Sequence, residues 1–471
     1  MGTKTLVFVH RWLGVLLSLF FAMWFFTGIV MIYVPFPSLS EAERLQYLEP
    51  IDTRGIDVEP SEAIFMCGGD SAGQLRIISL ETRPIYACVS AENQVRAVYA
   101  DWAGWVEPLS IERVRKHVSE RVDAHFDLSE SIHYDQWIVH QKFDPYRPFY
   151  KLVLDDQEQT HLYVSSLTGE VLQSTSAHER FWNYLGAVAH WIYPTVLRKD
   201  WALWDKTVWW LSLFGIVGVL LGIYLGIMHL VKVRRSGKRL LSPFRGWMRW
   251  HHVLGLFSGL FVLSWIFSGW LSMDHGRLFP TPDASVEQQR LVRGLSMTEL
   301  GTQISAETFR KYRGRHEITF HAFGGVAFSN AKNVEGVLDN PTLSPQEILR
   351  VIDSAWPEYD VVNAGPLPAR DTYTDLREGR LPTETMRVEL NDPASTWVHV
   401  DPRTGEIVSV MDRSRRLYRW LFNGLHSLDV PGLVDRRPLW DVVILILLVV
   451  GFMGSVTGVV VGSRRLIKSF S

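Results

Sequence analysis

The chain has 471 residues, with 48 Lys and Arg against 50 Asp and Glu and a net charge of −2. That balance gives no basic face for nucleic acid. Hydrophobic residues make up 47 % and tryptophan occurs 19 times, and the excess gathers in four long runs, which excludes a purely soluble domain.

The first run, Leu6–Val34, opens with "HRWLG". It is longer than a signal-peptide core and no small-x-small cleavage site follows, so it is expected to stay in place. The others are Thr207–Val231, Val253–Met273 and Val442–Val461. A stretch of about 20 apolar residues crosses a hydrocarbon core of ~30 Å, and a backbone in lipid must satisfy its own hydrogen bonds, so all four read as helices. The chain therefore divides into a first span at 1–34, an external segment at 35–180, a juxtamembrane helix at 181–204 and a second span at 205–231. A loop at 232–249 leads to a third span at 250–273, a second external segment at 274–415, a juxtamembrane helix at 416–437, a fourth span at 438–462 and a tail at 463–471.

Basic residues set the orientation. The loop holds Lys232, Arg234, Arg235, Lys238, Arg239, Arg245 and Arg249, the tail Arg464, Arg465 and Lys468, and the start Lys4 and Arg11. Both termini and the loop are expected in the cytoplasm, with the two long segments outside. In those segments "PSEAIFM" and "SPQEILRVIDSAW" read as capped amphipathic helices, and "QLRIISL", "RPIYACV" and "QVRAVYA" as short strands. Cys67 and Cys88 lie here; a disulfide and two buried thiols are both open.

The chain is also a repeat. At an offset of 241, His10 falls on His251, Gly14 on Gly255, Trp24 on Trp265, Thr27 on Ser268 and Gly28 on Gly269. At 236, His190 falls on His426, "LWD" at 203–205 on "LWD" at 439–441, and Gly215, Gly218 and Gly222 on Gly451, Gly454 and Gly458. "YVSSLTGEVL" at 163–172 matches "HVDPRTGEIV" at 399–408. Parallel repeats imply a pseudo-two-fold axis along the membrane normal, with His190 facing His426 across it.

These residues resemble a known family. Helix-then-strand segments closing on a strand–"TGE"–strand hairpin look like PepSY domains. "HRWLG…TG" and "RWHHVLGLFSGLF…SGWLSM" look like the PepSY-associated transmembrane family. The resemblance implies an α-helical four-span membrane bundle in two pseudo-symmetric halves, with two α+β PepSY-like extracytoplasmic domains. It also implies likeness to the bis-haem reductases of the bacterial inner membrane that release iron from siderophores.

Seven histidines lie in or beside the spans. His10, His229, His251 and His252 are at one end, and His190, His426 and His275 at the other. Ionisable residues at membrane depth are functional candidates. Two layers of imidazole suit two b-type haems, each with two axial histidines; no Cys-x-x-Cys-His motif is present for covalent attachment. His190 and His426 are expected to hold the outer haem. For the inner one, His229 is favoured because Gly226 and Gly222 share its face, with His10, His251 or His252 as partner. His275 reads as a surface residue.

No Walker loop, metalloprotease motif or nucleotide-binding Gly-x-Gly-x-x-Gly is present, so electrons are expected from a membrane quinol or a cytoplasmic reductase. The aromatic stretch 133–150 offers either a β-core or a lip, through Tyr146 and Arg147, for an anionic iron chelate. The expected activity is a ferric-siderophore reductase of the bacterial inner membrane, with outer-sphere electron transfer to a periplasmic ferric chelate. The alternative is a membrane-anchored PepSY module that inhibits or chaperones a peptidase.

Overall fold

Among the described residues of the computed structural model, four helices are long and apolar enough to cross a membrane: Thr3–Tyr33, Trp201–Arg235, Gly246–Leu271 and Leu439–Phe470. The structure describes every residue except 1, 91, 238–240, 337–341, 378, 383 and 471, so Lys238 and Arg239 of the basic loop lie outside it. Each span packs against two neighbours, the first on the second and fourth, the third on the same two. Outward side chains such as Leu16, Phe257 and Leu260 stay more than half exposed, as suits contact with lipid. Inside, Phe25 lies against Trp265, with ring centres 5.6 Å apart.

Beyond the bundle the strands among the described residues form four sheets. Strands β1 (Leu75–Leu80), β2 (Arg83–Val89) and β3 (Val95–Tyr99) come from the first external segment. So do β4 (Phe126–Leu128), β5 (Phe149–Leu154), β6 (His161–Ser165) and β7 (Val171–Thr175). The second segment supplies β8 (Glu317–Phe323), β9 (Val326–Lys332), β10 (Val361–Pro366), β11 (Asp375–Leu376), β12 (Gly379–Arg380), β13 (Met386–Leu390), β14 (Trp397–Val400) and β15 (Ile407–Met411). Order β4-β5-β6-β7 makes one antiparallel sheet and β10-β13-β14-β15 another, while β11 and β12 pair alone. The helix Ile111–Ser119 covers the first through Val114 and Val118. Pro345–Ala355 covers the second through Ile348, Val351 and Ile352. Both helices start on a serine whose hydroxyl accepts the N–H of the third helical residue, a strong initiation signal.

The fourth sheet departs from two separate external domains. Its order is β3-β2-β1-β8-β9, so β1 of the first segment pairs antiparallel with β8 of the second, Ile77 opposite Ile318. One apolar core, holding Ile64, Leu75, Leu300, Phe309 and Ile318, serves both. The physical reason lies in the strands: β1 and β8 would each otherwise leave a row of unpaired backbone groups at an edge. Beside the seam, Arg76 bridges Glu170 (2.5 Å) and Glu317 (3.0 Å), and Arg44 bridges the same two at 2.9 and 2.8 Å. Lys332 adds 3.3 Å to Glu317. Burial pushes the Glu317 carboxyl up, but Arg44, Arg76 and Lys332 together hold it at about 2. Cys67 and Cys88 form a disulfide with Cα atoms 6.3 Å apart, within the usual span.

Candidate functional site

His10 stands on the first span and His251 on the third, seventeen residues before Thr27 and Ser268 respectively. At 1.5 Å rise per residue that interval is about 25 Å, so residues near the two histidines and residues near Thr27 and Ser268 form separate layers. The remaining two histidines arrive from the juxtamembrane segments. The helix Ala177–Leu185 breaks at Gly186, and the short turn Ala187–His190 packs His190 against the first span. In the second half Arg413–Arg419 widens into a π turn, Trp420–Gly424, just before His426.

The histidines meet in pairs. His190 and His426 have ring centres 6.3 Å apart, and His10 and His251 have theirs 6.4 Å apart. Each presents Nδ1 to a hydrogen-bond partner. The Thr27 hydroxyl lies 3.1 Å from the Trp24 carbonyl and 2.8 Å from His190 Nδ1. Ser268 sits the same way, 3.0 Å from the Trp265 carbonyl and 3.0 Å from His426 Nδ1. Thr457 donates to Gly454 (2.6 Å) and faces His251 Nδ1 at 3.3 Å. His10 Nδ1 donates to the Gly218 carbonyl, 3.0 Å away. The carbonyl partner puts the His10 proton on Nδ1, and His190, His251 and His426 likewise engage Nδ1, each with a hydroxyl.

Backbone anchors repeat as well. Trp24 Nε1 donates to the His190 carbonyl (2.8 Å) and Trp265 Nε1 to that of His426 (2.9 Å). Each imidazole also lies on a glycine. A Cβ at Gly222 would stand 2.8 Å from His10 Cε1, at Gly458 3.6 Å from His251, at Gly28 3.9 Å from His190 and at Gly269 3.5 Å from His426. A Cβ at Gly14 or Gly255, one turn beyond His10 and His251, would meet nothing within 4 Å.

His229 is placed differently from the sequence expectation. Gly222 faces His10 of the first span, and Gly226 faces Leu256, so the glycine face does not serve His229. His229 lies 6.4 Å from His252, but Phe244 packs edge-on against both rings, at 5.2 and 5.4 Å. His252 spends Nε2 on the Gly226 carbonyl at 3.0 Å, the opposite tautomer. His275 is tied to Asp205 at 2.8 Å and rests on Trp201.

Tyr146 and Arg147 do not form a lip. Arg147 is only 6 % exposed; its guanidinium donates to the carbonyls of His133 and Ile138 and to Asp144. Tyr146 takes an N–H from Arg76 at 3.4 Å within the buried charge cluster. The side chains that do line an open cleft of about 550 Å³ here include Tyr134, Trp137, Lys151, His161, Arg180 and Tyr184. These residues are spread over 134–184 in sequence and converge only when β5 and β6 pair beneath the helix Ala177–Leu185. Thr27 and Ser268 were visible as matched repeat positions, but their partnership with the histidines needed the fold.

A two-histidine, transition-metal-like donor set fits haem. With a metal–nitrogen bond of about 2.0 Å on each side, two imidazoles in line put their ring centres about 6 Å apart, which both pairs match. Among the described residues no cluster of three or more His, Cys, Asp or Glu could hold a metal ion. A family model described as PepSY-associated TM region matches residues 7–305. No curated protein matches the chain.

Proposed function

The chain belongs to the PepSY-associated transmembrane family, and from that premise we propose that it is a haem-dependent reductase of the bacterial inner membrane acting on a periplasmic ferric chelate. The supporting observation is the pair of histidine pairs, each with matched spacing and all four imidazoles hydrogen-bonded through Nδ1. His190 and His426 would hold an outer b haem and His10 and His251 an inner one, related by a pseudo-two-fold axis. Haem held by two imidazoles in such a site would supply one-electron transfer rather than oxygen binding. Thr27, Ser268, Thr457 and the Gly218 carbonyl orient the rings and raise their basicity. Trp24 and Trp265 pin the backbone of the outer pair. His229 and His252 stay outside this assignment, near the loop where a quinol or a cytoplasmic reductase would deliver electrons. The substrate, a ferric siderophore, would take one electron per iron and need no acid or base from the protein.

The rival, a redox-inactive PepSY module, gives no reason for four paired histidines, each held through Nδ1, on or beside the spans. Purified protein from haem-replete cells should show a low-spin b-type spectrum and about two haems per chain by pyridine haemochrome. In vesicles it should reduce an external ferric chelate with a quinol or cytoplasmic donor. A folded, colourless preparation would overturn the reading.

A further inference from the structure

The faces of the two four-stranded sheets turned away from their covering helices carry the same polar framework 236 positions apart. Lys151 reaches Asp135 at 3.2 Å, and Arg387 reaches Asp371 at 2.9 Å. Arg180 donates to the carbonyls of Thr175 and Gln159, both at 2.6 Å; Arg416 donates to those of Met411 and Ser395, both at 2.9 Å. Trp137 meets Tyr184 at 5.3 Å, and Tyr373 meets Trp420 at 6.3 Å. Strand registers agree: His161 stands opposite Val153 and Thr175, Trp397 opposite Glu389 and Met411.

One position breaks the match. In the second sheet the Trp397 indole is sandwiched between Arg387 and Arg416, each 4.1 Å from a ring centre, with Tyr373 edge-on at 5.3 Å. In the first sheet that position is His161, a smaller ring, and the space beside it is the cleft of about 550 Å³ that Lys151 and Arg180 border. The molecule therefore contains an occupied copy and an open copy of one aromatic slot between two cations.

We propose that the cleft binds a flat, anionic hydroxyaryl group, the catecholate or phenolate arm of a ferric chelate, where the second sheet places its own indole. Rings over cations are held by their quadrupole, and an ionised oxygen adds charge attraction to Lys151 and Arg180. Asp135 pairs with Lys151 and accepts from the Tyr163 hydroxyl at 2.8 Å, and Lys151 and Arg180 against this one carboxylate leave an excess positive charge in the lining. Burial, Arg180 and Lys151 hold His161 near a pKa of about 4, so near neutral pH it is a neutral wall. The volume lies in the range of small-molecule sites. A chain of ring contacts leads from the slot toward the outer histidine pair: Trp137 lies 5.8 Å from Phe36 and Phe36 5.6 Å from Trp191, the residue after His190. That the aryl arm belongs to a ferric chelate rests on the proposed function; the slot's taste for an anionic ring does not.

The test is direct binding to the purified full-length protein, followed by quenching of tryptophan fluorescence and by equilibrium dialysis. The probes are a ferric tris-catecholate and a ring-free ferric trihydroxamate. Wild type should prefer the catecholate by about tenfold or more. His161→Trp, which copies position 397, should fill the slot and cost that preference, while His161→Ala keeps it. Lys151→Gln should weaken catecholate binding by about tenfold without touching the slot's shape. Equal binding of both probes by wild type, or unchanged catecholate binding in both His161→Trp and Lys151→Gln, would overturn the proposal. The comparison needs no haem, so a colourless protein that still shows it would refute the reductase reading and leave the aryl slot standing.

Discussion

Gly222→Ala offers a one-atom test of the inner site. The added Cβ would stand 2.8 Å from His10 Cε1, whereas carbon atoms rest at about 3.5–4.0 Å. The imidazole must retreat by about 0.7 Å or more, beyond the ~0.5 Å tolerance of a preorganised site. It cannot rotate freely, because Nδ1 is held 3.0 Å from the Gly218 carbonyl one turn away on the same helix. Overpacking of this kind costs about 1–3 kcal/mol, which lowers inner haem affinity by about 5- to 150-fold. Helix propensity alone would favour alanine over glycine by up to about 1 kcal/mol, so a loss would not come from a weakened span. Gly218→Ala is the control, since its Cβ would meet Leu13 at an ordinary 3.7 Å. Haem per chain and the reduced-minus-oxidised spectrum are the assay: Gly222→Ala should keep the outer haem and lose most of the inner one. Two haems with an unchanged spectrum would refute the assignment of His10.

Ligand identity can be separated further. His10→Ala or His251→Ala should remove the inner haem, His190→Ala or His426→Ala the outer one, and His229→Ala neither; loss of a haem in His229→Ala would restore the assignment from glycine spacing. Thr27→Val and Ser268→Ala keep the ligands but remove the Nδ1 partner, so outer haem affinity should fall by about 10- to 100-fold, measured by haem transfer to an apo-acceptor. Glu317→Gln leaves Arg44 and Arg76 short of a buried partner and should cost about 3–5 kcal/mol, read as a lower Tm of the external sheets. In the wild type this carboxylate's contribution is fully present above pH ~4.5 and is lost as pH falls through its folded value of about 2; an acid melt that ends well above that value would mean other groups dominate. Changing both Cys67 and Cys88 to Ser opens a loop spanning 21 positions and should cost about 3 kcal/mol by chain entropy, checked by thermal melts with and without reductant.

What the sequence makes legible follows from periodicity. The spans and the histidine layers show because lipid demands long apolar helices and because the repeat pairs positions without knowledge of the fold. The facing of His190 and His426 was readable for that reason. Ligand choice in the inner layer was not: Gly222 sits on the same helix as His229, and only packing shows that it turns toward His10 on another span. Arg147 misled in the other direction. An arginine among aromatics looks like a binding lip, but three acceptors on its own loop draw it inside. The joint sheet was illegible as well, since nothing in an alternating strand says which distant strand will lie beside it.

That seam between β1 and β8 also sets a schedule for biogenesis. Arg76 and the edge of β1 are made long before Glu317 and β8. At a synthesis rate of about 5–20 residues per second, the intervening chain takes roughly 10–50 s to emerge, with two spans threaded in the meantime. Throughout that interval the first segment carries an open strand edge, and Arg44 and Arg76 share Glu170 alone; an open edge invites wrong partners. Its disulfide, formed entirely within that segment, can tie the end of the helix Pro60–Met66 to β2 before the completing strand arrives, so oxidation of Cys67 and Cys88 belongs early in the assembly order and closure of the five-stranded sheet belongs last.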